Sequence, residues 1–242
     1  MSEGAIETFL DGRVKVAQPE SGFRSGLDAV MLAAAVPAAA GQRALELGAG
    51  AGTASLCLLA RVPGVSVTGV EIDPALAALA AENAAANGMD AKFTAADIFA
   101  LPPDLKRDFD QVFANPPFHG EGQVSPDERR AAALMDDGKL SDWLKLGLQR
   151  TVSGGFFTAI LRADRLNEAL AALPEKGLCA FPLWPRAGET PKRVIVQVRK
   201  GSNAPFALLA GLVLHQPDGS WTPEADAVLR RGTALALTWV RL

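Results

Sequence analysis

Residues 43–53 read Arg-Ala-Leu-Glu-Leu-Gly-Ala-Gly-Ala-Gly-Thr, an apolar run of strand character followed at once by three glycines spaced two apart, Gly48, Gly50 and Gly52. Glycine tolerates positive φ without steric cost, so such a turn can reverse sharply out of a strand and open a helix. It marks the first β-to-α crossing of a layered fold. Residues 53–61 then read as a helix, and residues 65–70 alternate β-branched positions and end in Glu71. Pro74, at a first helical turn, opens an alanine-rich helix to Asn87 with Gly88 as its stop. Further strands are expected at 91–95, 110–114, 156–161 and 194–199, with helices at 27–36, 141–151 and 165–173. This alternation predicts an α/β fold with a doubly wound, mostly parallel sheet, an antiparallel edge strand, and ligands outside the carboxyl ends of the strands.

At 242 residues the chain fits one domain, with residues 1–40 as an N-terminal cover and 205–242 as a C-terminal extension. Apolar residues make up 49% and charged residues 21%, ordinary globular usage that favours neither disorder nor a membrane class. The longest apolar run, 29–40, is too short to span a bilayer and contains Pro37. The acidic start, with Glu3, Glu7 and Asp11, lacks the basic and apolar blocks of a secretory signal. Two cysteines, Cys57 and Cys179, make no disulfide framework and no C-x-x-C pair; they suit a reducing cytoplasm and argue against structural zinc. Two segments break the rhythm: a polar loop at 119–138, and a tail with a strand-like run at 208–214, a Pro217-Asp218-Gly219 turn and a helix at 223–231.

The glycine turn by itself suits either a dinucleotide or a methyl donor. A dinucleotide fingerprint places its third glycine one residue later than Gly52, and a pyrophosphate would favour a cation in the loop, where none stands. Glu46 precedes the turn instead. A carboxylate there favours the sulfonium and ammonium of S-adenosylmethionine. Glu71, about 20 residues beyond the loop, stands where an acid accepts hydrogen bonds from ribose hydroxyls. Asp97 follows the third strand and is read as an acceptor for the adenine amino group, with Ile72 and Ile98 against the ring faces. Asp73 is read as the cap of the next helix.

Asn115-Pro116-Pro117-Phe118 follows the strand at 110–114. The prolines have no N–H to compete for the Asn115 amide oxygen and the Pro116 carbonyl, which form an acceptor pair for a planar NH2 group. Together with the glycine turn, this stretch resembles the S-adenosylmethionine-dependent amino methyltransferases. Gln18 to Pro37, Glu71-Ile72-Asp73-Pro74 and the run from Pro185 to Arg193 are similar to the bacterial tRNA adenine-N6 methyltransferases. The resemblance spans about Phe9 to Gly232 and implies a Rossmann-like class I methyltransferase domain. It further implies that Glu46, Gly48, Gly50, Gly52, Glu71, Ile72, Asp97, Ile98 and Asn115 line the cofactor, that Asn115, Pro116, Pro117 and Phe118 hold the target base, and that the partner is RNA, with no membrane and no metal.

Phe118 is placed to stack on the base. His119 is read as a substrate-edge residue rather than a base catalyst, and Asn115 to His119 also resembles the ribosomal RNA guanine-N2 methyltransferases. Protein glutamine-N5 methyltransferases share Asn-Pro-Pro with an aromatic, usually tyrosine, and this chain has no tyrosine. A small-molecule acceptor also fits these residues. A non-catalytic donor-binding domain that contacts RNA or protein fits them less well, since it need not keep the acceptor pair beside an aromatic. Arg24, Lys192 and Arg193 are read as substrate contacts, and Arg186 to Lys200 as a basic face that offsets a net charge of -3. Arg129 and Arg130 are candidate phosphate contacts. Asp28 is read either as a helix N-cap or as a residue near the active site, and the four tryptophans as core anchors.

Overall fold

The computed structural model describes residues 5–19, 24–117 and 140–237. Phe118, His119, Arg129, Arg130, Trp239 and the loop expected at 119–138 lie outside the described residues. Strands β3 (Arg43–Leu47), β4 (Ser66–Glu71), β5 (Ala91–Ala95), β6 (Phe109–Ala114) and β7 (Thr151–Arg162) form a parallel array in the order β7-β6-β3-β4-β5. Beyond β7 lie β9 (Arg193–Arg199), antiparallel to both its neighbours, and then β8 (Leu178–Trp184). The antiparallel strand is thus inside the sheet, two places in from the edge where the sequence predicts it. The edge itself is made by two short strands parallel to β8, β10 (Ala207–Leu208) and β11 (Leu212–Val213).

These edge strands divide the apolar run expected as one strand at 208–214. Gly211 stands between them at φ +83, where an added Cβ would meet the Pro182 carbonyl oxygen at 2.2 Å. The same geometry accommodates Pro182 inside β8, a strand the sequence reading did not assign. β10 pairs with Cys179 and Ala180, and β11 with Leu183 and Trp184, so Pro182 sits in the gap between them where no N–H is needed.

Side chains alternate between two cores along each strand. Ala44, Val67, Phe113, Ile160 and Ile195 face helices α1 (Leu27–Ala35) and α2 (Thr53–Arg61), a hairpin, β1 (Ile6–Phe9) and β2 (Val14–Ala17), and α6 (Pro223–Leu229). Leu45, Leu47, Val70, Val112, Ala114 and Ala159 face α4 (Leu140–Gln149), α5 (Leu166–Ala172) and Ile98 and Leu101. Seven of the nine residues of α1 are buried, so it is a core helix covered by the hairpin and α6 rather than a surface element. Its N-cap is Gly26, with no side-chain bond; the N-cap reading of Asp28 fails because that carboxylate reaches 2.7 Å to Arg193 Nε. Both cysteines are free and buried, and burial pushes both thiols up to about 12.

Helix α3 (Pro74–Ala86) starts as the sequence predicts, with Asp73 accepting from the Ala75 N–H at 2.8 Å and Pro74 in the first turn. Its far end carries two amides spaced one turn apart. Asn83 and Asn87 each accept from and donate to the backbone of β2, at Ala17 and Lys15, completing the open side of that strand as a neighbouring strand would. Asn83 also donates to the Ala51 carbonyl at 3.0 Å, tying the hairpin to the glycine turn. Asn83→Ala would leave buried backbone groups unpaired and is expected to cost about 2–4 kcal/mol of stability. Urea unfolding measures it, and a loss below about 0.5 kcal/mol would show that the amide contributes nothing net.

Candidate methyl-donor and acceptor site

The chain crosses from β3 to β4 on one side while β6 flanks β3 on the other, so the sheet's switch point opens at the carboxyl ends of β3 and β6. Leu47 is in register with Ala114, and the glycine turn and Asn115 therefore leave the sheet one strand spacing apart, about 5 Å. The Gly48 and Ala49 N–H groups both donate to the Val70 carbonyl at 2.9 Å, folding the turn over the end of β4. Gly48 has φ +70, and a Cβ there would come 2.8 Å from the Trp143 ring. Gly50 has φ +53 and nothing within 4 Å of its Cβ position. Its left-handed backbone faces open space, which leaves room for a ligand to approach the main chain. Gly52, also left-handed, is the N-cap of α2.

Two carboxyls are buried beneath this turn. Glu46 is 3% exposed; one oxygen accepts from the Ser55 N–H at 3.1 Å and from the Ser55 hydroxyl. Burial pushes it up to about 8, against the lowering effect of those two bonds. Glu71 is 1% exposed, accepts from the Gly50 N–H at 2.7 Å and the Asp73 N–H at 3.1 Å, and is likewise raised by burial. Neither acid has an ion-pair partner among the described residues. Two desolvated carboxyls without a counter-ion, beside an open glycine turn, fit a cationic ligand such as a sulfonium that also carries an ammonium.

Past β5 the placement differs from expectation in detail. Asp97 lies two residues beyond the strand end, exposed, and one of its oxygens caps a short helical turn by accepting from the Phe99 N–H at 2.8 Å. Ile98 turns into the core at 5% exposure, whereas Ile72 and Phe99 are 39% and 43% exposed. At the end of β6, Asn115 Oδ1 is buried with no hydrogen-bond partner among the described residues, and Pro116 is buried beside it. Such an acceptor asks for a donor from outside the fold.

The basic segment does not form one face. β9 is seven residues long, about 20 Å, and separates Lys192 and Arg193 from Arg199 and Lys200. Arg193 pairs with Arg162 at the carboxyl end of β7, whereas Arg199 pairs with Phe156 in the middle of that strand. Lys200 Nζ donates to the Thr151 carbonyl at 2.6 Å, and the Arg199 guanidinium lies over the Phe156 ring at 5.8 Å, so both serve the opposite edge. Arg162, Arg186, Lys192 and Arg193 remain on the site's edge. Arg162, Arg186 and Arg193 are paired with Asp164, Glu189 and Asp28, and Lys192 is exposed. Arg24 pairs with Glu7 on the N-terminal hairpin. Trp143 and Phe99 were not singled out in the sequence as site residues; the approach of Trp143 to Gly48 and of the two rings to each other is tertiary and leaves no local signal.

Comparison with known proteins agrees with this geometry. Residues 25–139 match the family described as methyltransferase small domain. A tRNA1(Val) (adenine(37)-N6)-methyltransferase of Porphyromonas gingivalis is 30% identical over 237 residues, covering 90% of this chain and 91% of the relative. One from Aeromonas hydrophila is 28% identical over 205 residues, covering 83% and 86%. Among solved structures, a predicted O-methyltransferase from Agrobacterium tumefaciens superposes with TM-score 0.69 and 28% identity, over 86% of this chain and 97% of that one.

Proposed function

The chain belongs to the tRNA1(Val) (adenine-N6)-methyltransferase family, S-adenosylmethionine-dependent N-methyltransferases, and from that premise we propose that its acceptor is the exocyclic amine of an adenine in tRNA, held by Asn115 and Pro116. The observation that carries this is Asn115 Oδ1, without a hydrogen-bond partner among the described residues and buried one strand spacing from the glycine turn.

Conjugation with the ring ties up the lone pair of an aryl amine, so nitrogen must move toward tetrahedral geometry before it can attack. The Asn115 oxygen and the Pro116 carbonyl accept its two N–H bonds and favour that change, while Pro117 fixes the turn and Phe118 stacks on the base. S-adenosylmethionine, when bound, supplies an electrophilic methyl on a sulfonium. Glu46 and Glu71 favour its cationic end and ribose, and the open side of Gly50 admits it to the main chain. Holding the amine in line at near-attack distance provides most of the acceleration. No strong base is required, since the methylated cation loses its proton readily. A base within structured RNA must be splayed out to enter.

RNA is read as lying over the β7, β8 and β9 end of the carboxyl edge, where Arg162, Arg186, Lys192 and Arg193 gather, and away from the β4 and β5 end with Glu71, Asp73 and Asp97. We read the chain as one methyltransferase domain acting in the cytoplasm, with residues 1–40 as its cover and 205–242 as its extension. Among the described residues no helix is long and apolar enough to cross a membrane, and no group of three or more metal-ligating side chains gathers.

The test is incubation with methyl-labelled S-adenosylmethionine and unmodified tRNA, followed by nucleoside analysis. Label in N6-methyladenosine is expected; label confined to guanosine or to protein glutamine would defeat the adenine assignment. In the same assay Lys192→Ala is expected to raise KM for tRNA several-fold and to reduce the slope of log affinity against log salt by about one. An unchanged slope would remove Lys192 from the interface.

A further inference from the structure

Six cations stand in a row along the amino edge of the sheet, on the side away from Asn115: Arg199 and Lys200 at the end of β9, Arg150 before β7, Lys106 and Arg107 before β6, and Arg43 at the start of β3. β9, β7, β6 and β3 are neighbours in the sheet, so the row runs about 15 Å. None of the six has an ion-pair partner among the described residues, and every arginine that has one lies elsewhere.

Neutral groups hold these side chains instead. The Arg43 and Arg107 guanidiniums both lie over the Phe109 ring, 5.8 and 5.5 Å from its centroid, and Arg43 also donates to the Asp108 carbonyl at 3.0 Å. Arg199 lies over Phe156, Arg150 donates to the Lys106 carbonyl, and Lys200 donates to the carbonyls of Gln149 and Thr151. A ring face or a carbonyl orients a cation and leaves its formal charge uncancelled. Arg150 and Lys200 complement the carboxyl end of α4. The other four follow no α-helix and have no such duty. The acids beside the row are Asp104, Asp108 and Asp110, with Asp110 accepting from the Arg43 N–H at 2.8 Å; Glu175 and Lys176, before β8, offset each other. Cations thus outnumber acids along this edge of a chain whose net charge is -3.

We propose that the amino edge is a second RNA-contact surface, which holds the sugar-phosphate backbone of the tRNA at a distance from the base that reacts. This inference rests on the RNA reading above. At the carboxyl edge Arg162, Arg186 and Arg193 are paired with acids, so the oriented and uncompensated arginines of the protein are those of the opposite edge. β9 is about 20 Å long and carries cations at both ends, and a tRNA extends well past that depth, so one molecule reaches both edges. The guanidinium fork fits phosphate oxygens, and contacts of this kind position an RNA without reading its sequence.

Fluorescence anisotropy with full-length tRNA, and separately with a short hairpin carrying the target adenine, tests the surface on the wild type and on the triple variant Lys106→Gln, Arg107→Gln and Arg199→Gln. All three side chains are exposed, so the changes leave the core intact. The triple variant is expected to bind tRNA about tenfold more weakly, with the slope of log affinity against log salt reduced by about two, and to bind and methylate the hairpin as the wild type does. Arg107→Lys with Arg199→Lys keeps both charges and should retain tRNA affinity within about threefold. Unchanged tRNA affinity in the triple variant, or an equal loss for hairpin and tRNA, would overturn the surface. Cosedimentation with phosphatidylglycerol vesicles that the triple variant loses, beside unchanged tRNA binding, would assign this edge to a lipid surface instead. Failure of the wild type to bind either RNA would overturn the RNA reading itself.

Discussion

Asn115→Ala is expected to lower turnover about a hundredfold or more while leaving affinity for S-adenosylhomocysteine within a few-fold. The separation follows from where the side chain stands. Its Oδ1 is buried at the end of β6 and has no partner within the described fold, so alanine there removes no internal hydrogen bond of that oxygen. Stability should therefore hold or rise slightly, because an unpaired buried acceptor is itself a cost. The loss falls on the reacting amine, whose N–H bonds need acceptors most as nitrogen becomes tetrahedral, and kcat should fall by more than KM for tRNA rises. Asn115→Asp is the informative companion, since it retains an oxygen at the same reach. Steady-state kinetics on both variants, with unfolding curves as controls, decides the matter. An alanine variant with undiminished kcat would remove Asn115 from the reaction.

The central sheet was legible because burial on both faces writes itself into composition. β3, β4 and β6 are short runs bounded by punctuation, and Gly48, Asp73, Pro74 and Gly88 mark turns by local chemistry that tertiary contacts rarely override. Legibility failed where a residue's role depends on a partner far along the chain. β8 was not predicted; a proline disfavours a paired strand, and the gap between β10 and β11 makes Pro182 harmless. For Asp28 the sequence left a cap and a position near the site both open because its partner, Arg193, is 165 residues away. The cations from Arg186 to Lys200 looked like one patch because sequence proximity hides the length of the strand between them. Residues of strand period are easy to assign to a face, but the short helical turn after Asp97 rotates successive side chains differently. That is why Ile98 went into the core and Phe99 to the surface. The hairpin at 6–17 escaped notice since each strand has four residues and its open side is completed by Asn83 and Asn87 of a helix.

Affinity for the methyl donor is expected to rise with pH between about 6 and 8 and then to level off, with release of a proton on binding within that range. Glu46 is the cause. Its carboxyl is raised from 4.5 to about 8, chiefly by burial, so near neutrality the folded protein without ligand holds it mostly protonated. A cation nearby favours the carboxylate, and drawing off that proton weakens binding by up to tenfold for each pH unit below 8. The same group sets the sign for stability. The unfolded chain loses this proton near 4.5 while the folded state keeps it to about 8. The contribution is therefore fully present below about 4.5 and is lost progressively as pH rises through 8, a change of order a few kcal/mol. Ligand affinity and ligand-free stability should thus move in opposite directions over one interval. Glu46→Gln should flatten both curves and bind the donor weakly at every pH, since a neutral amide keeps the shape and cannot supply the charge. Calorimetry in buffers of different ionisation enthalpy counts the proton released, and urea unfolding at pH 5 and pH 8 follows the stability. A wild-type affinity that does not change from pH 6 to 8 would mean that the Glu46 carboxylate does not face the donor's cation.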